Sequence, residues 1–181
     1  MADHRRLLVM RHAKAQQEAE TDHDRRLSPR GRRDARAAGT MLAERQDEPV
    51  LALVSTAQRA RDTWHALSGV LSSEPEVWFD RSLYDAGPAD VVELLAGVAD
   101  TVSSVIVIGH NPAMSTVAAA LSDGQADPDL EDALAEGLRT AAVACFDVPV
   151  QWVDLNARRL RLTGVDVPRG SSRPFRSAGP A

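Results

Sequence analysis

The stretch "LLVMRHAKA", residues 7–15, places four apolar residues directly before an arginine and a histidine. Residues 7–10 are typical of a short buried strand. Such a strand ordinarily ends in a turn built from Gly, Asn, Asp or Pro. Here it ends in Arg11 and His12. A guanidinium and an imidazole at this position indicate a strand end that faces a ligand.

Similar apolar runs recur along the chain and alternate with helical patterns. We predict strands at residues 7–10, 51–54, 77–79 and 105–108, and helices at residues 29–45, 58–71, 89–99 and 113–121. This alternation predicts an α/β fold, a three-layer sandwich with a mainly parallel central sheet and helices on both faces. Ligands of such sheets bind beyond the carboxyl ends of the strands.

The last third of the chain has a different pattern. Residues 122–137 are acidic and interrupted by Gly and Pro, which indicates an exposed loop with one short helix. Residues 140–148 and 157–165 are typical of two more strands, and the three arginines of the second favour an edge position. We expect residues 1–169 to form a single domain and residues 170–181 to be a disordered tail.

The composition limits the classes of function. The chain has 181 residues, 44% of them hydrophobic, and a formal net charge of -5, so nucleic-acid binding has no general electrostatic support. A single cysteine, Cys145, excludes an internal disulfide. Neither a signal-peptide core nor a membrane-spanning apolar run is visible. We therefore expect a cytoplasmic protein.

Four side chains are predicted at strand ends: Arg11, His12, Arg59 and His110. Arg59 follows the strand at 51–54, and His110 comes directly after the apolar run of the fourth predicted strand. Three separate crossovers would bring these four residues to one edge of a parallel sheet. Helix N-termini at the same edge add N–H groups and positive dipole ends. The pattern predicts a pocket for a tetrahedral oxyanion.

Such a pocket suggests a mechanism. A neutral imidazole can attack phosphorus and form a covalent phosphoenzyme. A second, protonated histidine can donate to a phosphoryl oxygen while two arginines hold the others, so that no metal cofactor is needed.

Each of these residues also has a structural alternative. His12 could cap the strand end, Arg11 could form a surface ion pair, and His110 could close a turn. Arg61 competes with Arg59 for the role of phosphate ligand. Zinc bound by the two histidines is a further alternative, although the adjacent arginines would repel a dication.

Four motifs together resemble those of the histidine phosphatase superfamily, most closely its SixA-like phosphohistidine phosphatase branch. "MRHAKA" resembles the opening Arg-His element, and "VIGHNP" resembles the second-histidine element. "DHDRRLSPRG" is similar to D-x-x-R-x-L-(S/T)-x-x-G, and "VSTAQRARDT" to S-P-x-x-R-A-x-Q-T. Relative to these patterns, Thr56 replaces a proline and Asp62 a glutamine, which we expect to affect loop stiffness.

The resemblance implies a phosphoglycerate-mutase-like fold and assigns roles to the strand-end residues. It makes His12 the phosphorylated nucleophile, Arg11 and Arg59 the phosphate-binding arginines, and His110 the second histidine. In "SLYDAG", it places Asp85 where many relatives carry a proton donor. Asp85 is equally suited to a turn before the next helix, and Glu93 is expected on the solvent face of that helix.

The leading hypothesis is a metal-independent phosphatase that works through a covalent phosphohistidine on His12. Its expected substrate is phosphohistidine in a partner protein, and the protein is expected to be a monomer that binds neither nucleic acid nor membrane. One alternative is a phosphomonoesterase for a small phosphorylated metabolite, with Asp85 as general acid. Another is a non-catalytic module that binds phosphate or a phosphoprotein.

Overall fold

Six strands and five α-helices form the secondary structure of residues 5–157 and 160–170, which are the residues that the computed structural model describes. The strands are β1 (Arg5–Arg11), β2 (Leu51–Ser55), β3 (Glu76–Asp80), β4 (Ser104–Gly109), β5 (Val143–Val148) and β6 (Arg161–Asp166). The helices are α1 (Pro29–Glu44), α2 (Gln58–Ser68), α3 (Pro88–Ala96), α4 (Ala113–Leu121) and α5 (Pro128–Ala135). Short 3-10 turns occupy Ser82–Tyr84 and Trp152–Ala157.

The strands form one mixed sheet in the order β3-β2-β4-β1-β5-β6. The pairs β1–β4, β2–β4 and β2–β3 are parallel, whereas β5 runs antiparallel to both β1 and β6. The mainly parallel sheet, the two closing strands and the edge position of the last strand are thus confirmed. The short helix predicted within the acidic segment is also present, as α5.

Two helices end earlier than their apolar patterns predict. Helix α2 ends at Ser68 rather than at 71, and α3 ends at Ala96 rather than at 99. Gly69 and Gly97 are the C-cap residues of these helices. Glycine is a poor helix former, and it ends a helix even where apolar spacing continues beyond it.

Alternate residues of β1 pack into two separate core layers. Leu7 and Val9 belong to the layer that includes α3 and α4, whereas Leu8 and Met10 belong to the layer that includes α1 and α2. All four side chains are buried. Because successive strand residues point to opposite faces, β1 must be apolar throughout when helices cover both faces.

The connections after β1 and β4 leave the sheet toward opposite faces. The chain passes from β1 to α1 on one face and from β4 to α4 on the other, although the two strands are neighbours. Their diverging ends form a topological switch point, where α/β sheets bind ligands. His12 and His110 directly follow these two strands.

The N-terminus of α1 is fixed against the segment that follows His12. The Ser28 hydroxyl accepts a hydrogen bond from the Gly31 N–H at 3.1 Å and donates one to the Lys14 carbonyl at 3.0 Å. A Cβ at Gly31 would lie 2.1 Å from the same Lys14 carbonyl oxygen. Glycine at position 31 therefore allows the helix to approach the segment that follows His12 this closely.

The remaining predictions concern membrane spans, the C-terminal tail, the domain boundary and the single cysteine. Within residues 5–157 and 160–170, no helix has the length and apolarity required to cross a membrane. The expected disordered tail lies outside the described residues apart from Gly170. The single domain over residues 1–169 stays a prediction. Cys145 lies buried on β5, and this burial raises the pKa of its thiol to about 12.

Candidate active site

The His12 imidazole is held in one orientation by the backbone. The main-chain N–H of His12 donates to the Gly109 carbonyl at 3.0 Å, and the ring Nδ1 lies 2.7 Å from the Ala13 carbonyl oxygen. A carbonyl oxygen only accepts, so Nδ1 must carry a hydrogen. In the neutral ring the lone pair is then on Nε2, which leaves this nitrogen free to act as a nucleophile.

The surroundings of His12 keep its ring neutral. Burial, together with the nearby guanidinium groups of Arg59, Arg11 and Arg25, lowers its pKa to about 4, against the opposing effect of the Ala13 hydrogen bond. The imidazole is therefore unprotonated throughout the neutral pH range. A neutral ring among three cations is suited to attack on an anionic group.

His110 faces His12 across the site. The two ring centroids are 5.0 Å apart with an interplanar angle of 55°. Nε2 of His110 lies 2.8 Å from the Ser55 hydroxyl oxygen. Burial, followed by the proximity of His12 and Arg59, lowers the pKa of His110 to about 3. The site thus contains two neutral imidazoles.

Three buried polar atoms beside these rings have no hydrogen-bond partner in the described part of the chain: Arg11 Nε, His110 Nδ1 and Asn111 Oδ1. All three residues line one cavity. Arg11 Nη1 and Asn111 Nδ2 are anchored on the same acceptor, the Leu138 carbonyl, at 3.1 and 2.9 Å. Buried polar atoms are rarely left unpaired, so this cluster is typical of a site that receives a polar ligand.

This cavity, which we call the phosphate cavity, has a volume of about 320 Å³ and also contains His12. The cationic side chains along its wall are Arg11, Lys14, Arg25 and Arg59. Guanidinium groups bind tetrahedral oxyanions through charge-assisted and often bidentate hydrogen bonds. The cavity combines a positive lining with a neutral imidazole.

Arg59 is fixed by Asp22. Its Nη1 donates to the Asp22 carbonyl at 2.6 Å and its Nη2 to the Asp22 carboxylate at 2.9 Å. The same carboxylate accepts from Tyr84 Oη at 2.5 Å and from Arg25 Nη1 at 2.9 Å. The Tyr84 and Arg25 hydrogen bonds and the Arg59 charge hold the pKa of Asp22 well below its usual range. Asp22 is therefore an ionised centre that orients both arginines.

Residues near the start of α2 join Arg59 to the segment that follows His12. Thr63 Oγ1 accepts from the Ala13 N–H at 3.0 Å and donates to the Arg59 carbonyl at 2.6 Å. Asp62, which replaces the family's glutamine, accepts from the Leu27 N–H at 3.1 Å. These bonds connect β1, the 22–27 segment and α2 into one support.

The structure places the predicted site residues in two neighbouring cavities. Arg11, His12, Arg59 and His110 share the phosphate cavity. Asp85 instead lines a second cavity of about 320 Å³, together with Tyr84 and the start of α4. Both cavities include His110 and Asn111. Glu93 is exposed on α3, as the sequence predicts.

The motifs alone missed several supporting residues. Asp22 and Arg25 belong to the recognised "DHDRRLSPRG" element, but the motif does not indicate that they lie next to Arg59. Ser55 and Thr63 lie within "VSTAQRARDT", so the same motif was a signal for them too. Tyr84 lies in the quoted "SLYDAG" segment, and no spacing rule connects it with Asp22.

Comparison with known proteins supports the same family. The model of the histidine phosphatase superfamily (branch 1) matches residues 7–85. The uncharacterized protein Rv1276c of Mycobacterium tuberculosis (strain ATCC 25618 / H37Rv) is 36% identical over 162 residues, which are 88% of this chain and 100% of that protein.

Two solved structures resemble nearly the whole chain. A provisionally assigned phosphohistidine phosphatase SixA from Nakamurella multipartitia is 32% identical, with a TM-score of 0.79 over 91% of this chain and 96% of that chain. One from Agrobacterium tumefaciens, with the same provisional assignment, is 31% identical, with a TM-score of 0.74 over 91% of this chain and 99% of that chain. These matches confirm the SixA-like resemblance of the motifs, and the chain belongs to the histidine phosphatase superfamily.

Proposed function

We propose that the protein is a metal-independent phosphatase that transfers a phosphoryl group from phosphohistidine in a protein substrate, through His12, to water. The observation that carries the proposal is the protonation and orientation of the His12 ring. Its Nδ1 hydrogen is fixed on the Ala13 carbonyl, so the Nε2 lone pair is available within a cationic cavity. The SixA-like relatives favour phosphohistidine as the substrate class.

In the first step, Nε2 of His12 attacks phosphorus as the bond from phosphorus to the substrate's imidazole nitrogen breaks. If the substrate ring is protonated on its other nitrogen, it departs as neutral imidazole and needs no further acid. The phosphorylated His12 ring becomes cationic, and the hydrogen bond from Nδ1 to the Ala13 carbonyl stabilises that charge. Water then attacks phosphorus, the P–Nε2 bond breaks, and phosphate is released.

The other residues stabilise the phosphoryl charge. Arg11 and Arg59 donate to its oxygens in place of a metal ion. His110 is neutral in the free site, and a bound dianion raises its affinity for a proton because opposite charge favours the imidazolium. Nδ1 of His110, which has no hydrogen-bond partner among the described residues, would then donate to a phosphoryl oxygen.

A second candidate is a phosphatase for a small phosphomonoester with Asp85 as general acid. The position of Asp85 favours it, because the cavity that Asp85 lines shares His110 with the phosphate cavity. An alkoxide leaving group needs a proton, which a carboxylic acid can supply. A non-catalytic binding module is less compatible with the site, since binding alone does not require a free Nε2 on a neutral ring.

The test compares hydrolysis of a phosphohistidine peptide and an aryl phosphate by wild type, His12→Ala and His65→Ala. The exposed His65 on α2 serves as the matched control. We expect His12→Ala to lose activity by about 10³-fold or more, with His65→Ala unchanged. Mapping the trapped phosphoryl group should identify His12. Equal and negligible turnover by folded wild type and His12→Ala would overturn the proposal, and phosphopeptide binding without hydrolysis would support the binding module.

A further inference from the structure

The second cavity, which contains Asp85, adjoins the phosphate cavity at His110 and Asn111. Its other walls come from the residues around Asp85, at the start of α3, and from the first turn of α4, with Thr116. His110 is buried, and its Nδ1 has no hydrogen-bond partner among the described residues. A phosphoryl group held against His110 therefore has its remaining substituent next to this second cavity.

We propose that the second cavity receives the leaving group of the substrate, and that Asp85 selects a neutral or cationic leaving group over an anionic one. This inference rests on the proposed phosphatase function. The chemical class that it assigns to the leaving group is a flat, uncharged or positively charged ring, such as the protonated imidazole of phosphohistidine.

The size of the cavity fits one side chain. Its volume of about 320 Å³ is near the lower end of ligand-sized pockets. Tyr84 contributes an aromatic wall, with its ring centroid 5.3 Å from that of His110. A flat ring packs well against such a wall.

The charge of the second cavity is opposite to that of the phosphate cavity. Asp85 is the acidic residue along its wall, which contains no Lys or Arg among the described residues. Within the described part of the chain, no side-chain hydrogen bond or ion pair engages its exposed carboxylate, so this charge remains available to a ligand. The phosphoryl group thus meets cations while its leaving group meets an anion.

Two aryl phosphates test the inference, one with a para-carboxylate and one with a para-trimethylammonium group. The measured quantity is the ratio of kcat/KM for the cationic ester to that for the anionic ester. The two esters differ in intrinsic reactivity, but this difference cancels when the ratio of a variant is compared with that of wild type. We expect Asp85→Asn to lower the ratio by about threefold to tenfold, and Asp85→Lys to lower it further.

Glu93→Gln and Glu93→Lys are the matched controls, since they change the net charge equally from an exposed position on α3 outside the cavity wall. Their ratios should equal that of wild type. Inhibition by tungstate, an oxyanion of the same shape as phosphate, checks that every variant retains the phosphate cavity.

The outcomes separate the two proposals. A ratio that is the same in wild type and both Asp85 variants, with turnover intact, overturns the charge selection but not the phosphatase. Equal loss of both esters in Asp85→Asn, at an unchanged ratio, also overturns it and favours a general acid. If wild type turns over neither the esters nor the phosphohistidine peptide, both proposals fail.

Discussion

The two facing histidines predict that the protein loses stability in mildly acidic solution. Both rings are neutral in the folded state, with the pKa of His12 lowered to about 4 and that of His110 to about 3. An unfolded histidine has a pKa of about 6.5, so below that pH the unfolded chain binds protons that the folded chain does not. Unfolding is then favoured as the pH falls from about 6.5 toward 4.

The size of the effect follows from the two pKa values of each ring. At about pH 5, most of the unfolded His12 is protonated, whereas a folded ring with a pKa of about 4 is mostly neutral. The difference in proton binding lowers the free energy of unfolding by about 2 kcal/mol relative to pH 7.5. His110 contributes a similar amount, also about 2 kcal/mol, at that pH.

Urea unfolding at about pH 7.5 and about pH 5 measures this loss. Fluorescence of the buried Trp64 and Trp152 reports the transition. We expect His12→Gln to lose about 2 kcal/mol less than wild type between the two pH values, because the substitution removes one of the protonating groups. The exposed His65→Gln control should follow wild type.

Equal pH dependence in wild type and His12→Gln would refute this reasoning. Proton NMR of the histidine rings gives a direct check that does not depend on unfolding. The signals of His12 and His110 should remain those of neutral rings at about pH 5.5. A titration midpoint near pH 6.5 for either ring would contradict the lowering of its pKa by burial.

Two further predictions concern the support of the site. Gly31→Ala should destabilise the protein by about 1–3 kcal/mol in thermal or urea unfolding, since its Cβ would meet the Lys14 carbonyl at 2.1 Å. Gly97→Ala is the control, because its Cβ would lie 3.5 Å from the nearest atom, and we expect no comparable loss of stability. Arg59→Lys should weaken inhibition by tungstate by about 10- to 100-fold, because an ammonium cannot hold both Asp22 contacts and still present a fork to the anion. Unchanged inhibition would show that the guanidinium does not bind the anion.

The sheet and its helical layers could be predicted because their signals are local. The apolar residues of β1 and β4 show that both faces of these strands are covered, and the motifs after them fix where each strand ends. A parallel arrangement then brings Arg11, His12 and His110 to one edge without further information. Residues at strand ends are therefore the part of the site that sequence reasoning reaches best.

The support around Arg59 could not be predicted in the same way. Its partner Asp22 lies 37 positions away, and Tyr84 lies 62 positions from Asp22, both outside the strands and α-helices. Loop segments lack the periodic hydrophobic pattern of helices and strands, so their sequence does not show which residues are in contact. The separation of Asp85 from the phosphate cavity is likewise a consequence of how the chain turns before α3 rather than of spacing along the chain.

The hydrogen bond from the His12 N–H to the Gly109 carbonyl extends the β1–β4 ladder into the site. The backbone at both histidines is therefore anchored at the centre of the sheet, at the ends of two hydrogen-bonded strands. Charge that develops during phosphoryl transfer then meets dipoles already in place, with little reorganisation energy. If the chemical step limits turnover, the rate should respond little to solvent viscosity.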